Sequence, residues 1–319
     1  MRQRLILVAK IAAALLFAAI AIRILVQEFS SLSLAELGKS LSRIGWDKVI
    51  LGLGATLAAF AAVATYDGFA LRYACKHLPF LKSGLSSTTT YAISNLLGFP
   101  VFTGNAVRFW LFEDWGFGAA EVAICAIVTT VVCNLMLVFI AGASLTMTPE
   151  LLSTTVNLSP SWGSAIGFAL LATATAITIF AIAGPKRLRL WRFEFNRPGP
   201  LLIPHLLACG VDYAATAAVL YVLLGDSLAI GFLPFVALFS TAKLIGIVSN
   251  VPGGLGVFEA VVASTMGNVP PAALAAALIA YRCIFYLAPF GIAACAIAVH
   301  ALARASRRTT PRQPSTPSG

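Results

Sequence analysis

The sequence predicts an all-α, polytopic membrane bundle: about six full spans plus two re-entrant helical hairpins, arranged as an inverted repeat. Three observations carry that prediction. First, the 319 residues are 59% hydrophobic and only 11% charged, with a mean hydropathy of +0.91. A soluble domain carries roughly 25% charged residues, enough to cover a water-facing surface. Second, several apolar runs reach the ~18–20 residues needed to cross ~30 Å of hydrocarbon. Third, two further apolar segments are interrupted near their middles by proline and glycine.

The spans read in order as 5–26, 49–71, 119–147, 163–183, 201–224 and 272–302. The N-terminal MRQRLILVAKIAAALLFAAIAIRI resembles a signal peptide in layout, but its apolar run exceeds the usual ~7–15-residue h-region. An uncleaved first span is expected. Basic residues flank the spans unevenly. Arg2, Arg4 and Lys10 accompany the first span, and Arg72, Lys76 and Lys82 follow the second. Lys186, Arg187, Arg189, Arg192 and Arg197 follow the fourth, and Arg304, Arg307, Arg308 and Arg312 follow the last. Segments 148–162 and 225–231 contain no Lys or Arg. The positive-inside rule then puts both termini in the cytoplasm. Segment 27–48, with Lys39, Arg43 and Lys48, falls outside in this scheme.

Segments 88–112 and 232–266 remain. A single crossing by either would put the later basic segments on the wrong side, so each is read as a helix pair entering and leaving by one face. The two halves, approximately 1–150 and 160–302, echo each other. Asn95, Pro100, Gly104 and Arg108 follow one another in the first, and Asn250, Pro252, Gly256 and Glu259 in the second. Asp67 and Asp212 each lie in the span before a hairpin, and those spans run in opposite directions. Residues 1–302 form one transmembrane domain, and 303–319 a disordered cytoplasmic tail. Inverted repeats with broken helices near the midplane are the sequence signature of alternating-access transporters.

The candidate site follows from charge and backbone. Pro252 cannot continue a helix, and Gly253, Gly254 and Gly256 allow a tight turn with close approach. A helix restarting near Leu255 would aim free N–H groups at an anion such as phosphate. The bland reading is a packing kink. Six charges in or near apolar sequence count against it: Asp67, Arg108, Asp212, Lys243, Glu259 and Arg282. A charge at the bilayer centre costs roughly 2.5–3.5 kcal/mol on insertion scales, so such groups pair or line water. Asp67 could pair with nearby Arg72, and Arg108 could be an interfacial anchor. Lys243, Glu259 and Arg282 are expected to cluster around the second hairpin. The substrate-binding set is thus Asp67, Asn95, Gly104, Arg108, Asp212, Lys243, Asn250, Pro252, Gly253, Gly254, Gly256, Glu259 and Arg282.

No catalytic or metal-ligating set appears. Cys75, Cys125, Cys133, Cys209, Cys283 and Cys295 are scattered, and His77, His205 and His300 stand far apart. No cofactor is expected. The net charge of +10 sits beside apolar runs and not on a stripe with exposed aromatics, so membrane lipids are the expected partners and nucleic acid is not.

KLIGIVSNVPGGLGVFE, Lys243 to Glu259, resembles the Pro-Gly-Gly-x-Gly-x-x-Glu signature of the lysylphosphatidylglycerol synthase transmembrane family. That family includes the flippase domain of the multiple peptide resistance factor proteins and stand-alone relatives. NLLGFPVFTGNAVRFWLF resembles its second, looser motif, an Asn-to-Gly-x-x-x-Arg segment. The resemblance covers most of 5–302. It implies an inner-membrane bundle that moves a phospholipid or related polar lipid between leaflets. In the two-part relatives a soluble aminoacyl-transferase domain follows; here only a short tail does. The expectation is therefore a non-enzyme, alone or as a homo-oligomer, served by a separate lipid-synthesising enzyme. A secondary transporter of a small polar solute, coupled to protons or sodium, shares this architecture. A lateral opening to the acyl chains, as against an enclosed cavity, separates the two.

Overall fold

Helix boundaries follow the hydropathy closely in this computed structural model, which describes residues 34–97, 100–149, 159–184, 187–190, 193–196, 199–248, 257–266 and 269–309. A short helix α1 (Leu34–Ser42) precedes α2 (Trp46–Val63) and α3 (Tyr66–Tyr73). The pair α4 (Phe80–Leu97) and α5 (Pro100–Asp114) comes next, then the long helices α6 (Ala119–Met147) and α7 (Pro160–Ala183). After a small hairpin come α8 (Leu202–Leu224), α9 (Phe232–Val248), α10 (Val257–Thr265), α11 (Pro271–Tyr281) and α12 (Ala288–Thr309).

Five stretches are long and apolar enough to cross a membrane: Trp46–Tyr73, Ala119–Met147, Pro160–Ala183, Gly199–Ser227 and Pro271–Leu302. They coincide with five of the expected spans. The expected span at 5–26 lies outside the described residues. The surface of these helices is inside-out relative to a soluble protein: Leu57, Phe168, Leu207 and Ile292 are all more than 60% exposed. Such a surface suits acyl chains and not water.

Both interrupted segments are helix pairs. α4 packs along α5, and α9 along α10. Three features were not expected from the sequence. The basic segment after α7 carries an antiparallel hairpin, β1 (Arg187–Leu190) with β2 (Phe193–Asn196), Arg187 standing opposite Asn196. RLRL and FEFN alternate polar with apolar, the period-two pattern of a strand. Segment 27–48 contains α1, which lies against α11. The last helix runs on to Thr309, past the expected end at 302.

Two local irregularities shape the interior. Between α2 and α3 the Thr65 hydroxyl donates to Ala62 O at 2.7 Å, and the Thr65 N–H also bonds Ala62 O. Threonine back-bonding of this kind bends a helix, and Tyr66 and Asp67 stand just beyond the bend. Between α11 and α12, residues Arg282–Leu287 form a π-helical turn. Pro289 follows and has no N–H to offer the preceding turn, the usual cause of such an insertion. Arg282 opens it.

The centre is built by α2 on α8, with α6 bridging α7, α8 and α9. Tyr281 stacks on Phe285, with centroids 5.7 Å apart, and Phe239 meets both Phe258 and Tyr281 edge-on. α6 and α7 cross where Gly142 meets Gly167. A Cβ on Gly167 would stand 2.8 Å from Thr146 N and 3.0 Å from Gly142 O. Small residues at membrane helix crossings allow this contact.

Candidate functional site

α4 carries the sequence SSTTTYAISN, and a helix sorts it into two faces. Thr88 and Thr89 return their hydroxyls to their own helix, at Gly84 O and Leu85 O. The other face presents Ser86, Ser87, Thr90, Tyr91 and Ser94 at spacings of three and four, so they line one side. Opposite this stripe, α3 contributes Tyr66 and Asp67, and α5 contributes Asn105 and Arg108.

These groups form a buried ionic centre. Arg108 Nη2 is 3.0 Å from Asp67 Oδ1, and its Nε donates to Asp67 Oδ2 at 3.2 Å. The Nε contact is the hydrogen bond of this ion pair, while Nη2 stands at ion-pair distance from Oδ1, which accepts no hydrogen bond among the described residues. Ser86 donates to Asp67 Oδ2 at 2.6 Å, and the Asp67 N–H donates to Ser87 Oγ at 2.9 Å. Arg108 Nη1 also donates to Asn105 Oδ1 at 2.7 Å. Asp67 is 0% and Arg108 5% exposed. Arg72, the sequence-adjacent partner expected for Asp67, is exposed and faces the Phe69 ring instead. Arg108 is an internal partner and not an interfacial anchor.

A cavity of about 500 Å³ adjoins this centre, lined by Tyr66, Thr90, Tyr91, Asn95 and Arg108. Its far wall is α6, with Ile127, Val131 and Cys133. Ile127 and Val131 are each 55% exposed, so this wall of the cavity is apolar and accessible. Gly104 does not line the cavity; it sets the distance between α4 and α5. A Cβ there would run into the Ser94 hydroxyl and stand 2.9 Å from Thr90 Cγ2.

Asp212 stands behind the two tyrosines. It accepts from Tyr66 Oη at 3.0 Å, from Tyr91 Oη at 3.1 Å and from Thr216 Oγ1 at 3.2 Å. Lys243 Nζ lies 4.6 Å from the centre of the Tyr213 ring, one residue along α8. A second buried ion pair joins Arg282 to Glu259, linking the π turn to α10, and the guanidinium also covers the Tyr286 ring at 4.7 Å.

The expected site residues therefore sort into three groups. Asn95 and Arg108 line the cavity, with Asp67 held behind Arg108. Asp212 and Lys243 sit deeper, and Glu259 with Arg282 form a separate pair. Lys243 lies over Tyr213 of α8, while Glu259 and Arg282 pair with each other. Asn250, Pro252, Gly253, Gly254 and Gly256 lie outside the described residues. Tyr66, Tyr91, Ser86, Asn105 and Thr216 were missed. Helical spacing could have found two of them: Asn105 is three residues before Arg108, and Thr216 four after Asp212.

Comparison with known proteins agrees with this architecture. A family model described as the lysylphosphatidylglycerol synthase TM region matches residues 7–293. The uncharacterized protein slr0712 of Synechocystis sp. is 28% identical over 281 residues, covering 82% of this chain and 86% of its own length. A phosphatidylglycerol lysyltransferase of Staphylococcus aureus is 39% identical over 93 residues, which is 28% of this chain and 11% of that protein. With its family model spanning nearly all the apolar helices, this multi-pass membrane chain belongs to the lysylphosphatidylglycerol synthase TM region family.

Proposed function

We propose that this chain moves a polar lipid between the leaflets of a bacterial inner membrane, an anionic or zwitterionic phospholipid being the class carried. The observation that carries the reading is the mixed lining of the cavity. Arg108 and the hydroxyl stripe of α4 offer a polar berth for a headgroup, while Ile127 and Val131 of α6, each more than half exposed, give the same space an apolar wall. A lipid needs that combination, because its chains stay in hydrocarbon while its headgroup travels. A small solute would instead be served by an enclosed site.

Chemically, the Asp67–Arg108 pair is suited to partner exchange. An arriving phosphate would compete for the guanidinium, and the Ser86 hydroxyl would remain on the released Asp67 carboxylate. In this reading Asn250, Pro252, Gly253, Gly254 and Gly256 supply further headgroup contacts, on the strength of their sequence. Both termini lie in the cytoplasm in this reading.

The test is leaflet exchange of fluorescent phosphatidylglycerol in vesicles carrying the purified chain, read by chemical quenching from outside. Exchange well above protein-free vesicles is expected, and Arg108→Ala should lose it. Exchange equal to empty vesicles for anionic and zwitterionic reporters alike would overturn the reading.

A further inference from the structure

Three carboxylates are buried among the described residues: Asp67, Asp212 and Glu259. Two are held by arginine. A guanidinium stays charged at any physiological pH, so it fixes its partner as an anion. Asp212 is held differently. No lysine or arginine among the described residues forms an ion pair with it, and its donors are the hydroxyls of Tyr66, Tyr91 and Thr216. It is 1% exposed.

That difference has a chemical consequence. Protonating Asp67 or Glu259 would strand a buried arginine. Protonating Asp212 breaks no ion pair among the described residues and removes a charge that burial disfavours, against the attraction of the nearby Lys243 ammonium, which favours the anion. A neutral carboxylic acid still accepts at its carbonyl oxygen and can donate through its hydroxyl, and tyrosine can accept as well as donate. The three-hydroxyl nest is therefore competent for both states. Tyr66 and Tyr91 also line the cavity, which joins the carboxylate to a space large enough for water.

The surrounding elements leave Asp212 as the group most readily switched. Tyr66 faces it from α3 and Tyr91 from α4. Cys133 of α6 lies 3.3 Å from Cys209 of α8 itself. Lys243 of α9 lies over the neighbouring Tyr213, and it is the one cation whose charge acts on Asp212 among the described residues. From α11, Tyr281 is engaged in the aromatic cluster. α2 carries its ionisable residues, Asp47 and Lys48, only in its first turn, and α7 has none.

We propose that Asp212 is a proton-binding site, reached from the cavity through the hydroxyls of Tyr66 and Tyr91, and that its protonation is coupled to lipid movement. A hydronium ion in the cavity gives its proton to a tyrosine oxygen as that tyrosine passes its own proton to Asp212. One water remains, the tyrosine is unchanged, and the carboxylate charge goes from minus one to zero. The coupling rests on the translocation reading; proton binding does not.

Two experiments on the full chain separate these claims. Infrared difference spectra between acid and alkaline buffer, in lipid nanodiscs, should show a carboxylic C=O band that disappears at high pH. Asp212→Asn should remove it and Asp67→Asn should keep it. Tyr66→Phe should shift its frequency or midpoint, and it serves if Asp212→Asn does not fold. No titrating band in the parent, or a band kept in Asp212→Asn, overturns the proton site. So does a band unmoved by Tyr66→Phe. In vesicles, exchange of fluorescent phosphatidylglycerol should change several-fold under an imposed pH gradient, and Asp212→Asn should be insensitive to it. An equal sodium gradient at constant pH should do nothing; a response to sodium alone overturns proton coupling. A titrating band without any lipid exchange sustains the proton site and sinks the translocation reading.

Discussion

Arg108 closes on Asp67 across 41 residues of sequence, its Nη2 3.0 Å from Oδ1 and its Nε 3.2 Å from Oδ2, and so ties the first helix pair to the bend after α2. Both side chains are buried, and removing one buried partner commonly costs about 3–5 kcal/mol because the other is left uncompensated. Arg108→Met and Asp67→Leu should each lower the melting temperature of the purified protein. The double variant should recover much of that loss while still failing to exchange lipid. Losses in the double variant equal to the sum of the singles would show that the two residues do not act as a pair. Arg108→Lys should behave more like the alanine variant than the parent, since one ammonium cannot reproduce the guanidinium's separate contacts with Asp67 and Asn105.

Gly104 sets how closely α5 approaches α4. A methyl group there would collide with the Ser94 hydroxyl and crowd Thr90. Gly104→Ala should therefore destabilise by roughly 1–3 kcal/mol, the range for overpacking. Adding Ser94→Ala should recover part of it, because the hydroxyl is the first atom met. Thermal unfolding in detergent of the single and double variants checks this. A harmless Gly104→Ala would refute the close contact.

The Glu259–Arg282 pair lies apart from the Arg108 cavity and braces the π turn against α10. Glu259→Gln should lower thermal stability, and Glu259→Gln with Arg282→Gln should lower it less, by the reasoning used for the first pair. The single variant's deficit should shrink little in high salt, because a buried pair is poorly screened. Unfolding curves at low and high ionic strength read the difference. A deficit abolished by salt would mean that this pair is open to water.

Cys133 and Cys209 offer a direct check on how α6 meets α8, with sulfurs 3.3 Å apart. A short bifunctional thiol reagent should bridge them within one chain. Cys209→Ser should abolish that bridge, while Cys283→Ser and Cys295→Ser should leave it. Peptide mapping by mass spectrometry identifies the linked pair. Linkage to any cysteine other than Cys133 would contradict this packing.

The amino-acid sequence by itself determined the solvent and the layout. A 59% hydrophobic chain can only be stable with its helices in hydrocarbon, and the runs 119–147 and 163–183 mark their spans almost to the residue, because insertion depends on local composition. Pro100 and the proline–glycine run after Asn250 likewise mark where helices must stop, since backbone geometry is local. Pairing was not legible in this way. Asp67 has Arg72 five positions away, yet it takes Arg108, because the rotation of α3 turns its carboxylate inward while Arg72 faces out. Lys243 and Glu259 stand close in sequence, yet one lies over Tyr213 and the other meets Arg282. Tyr66 and Tyr91 read as ordinary aromatics until the packing of α3 and α4 brings both hydroxyls onto Asp212. Only tertiary structure decides such contacts, because a side chain's partner depends on how helices rotate and cross, and hydropathy along one chain carries no record of those angles.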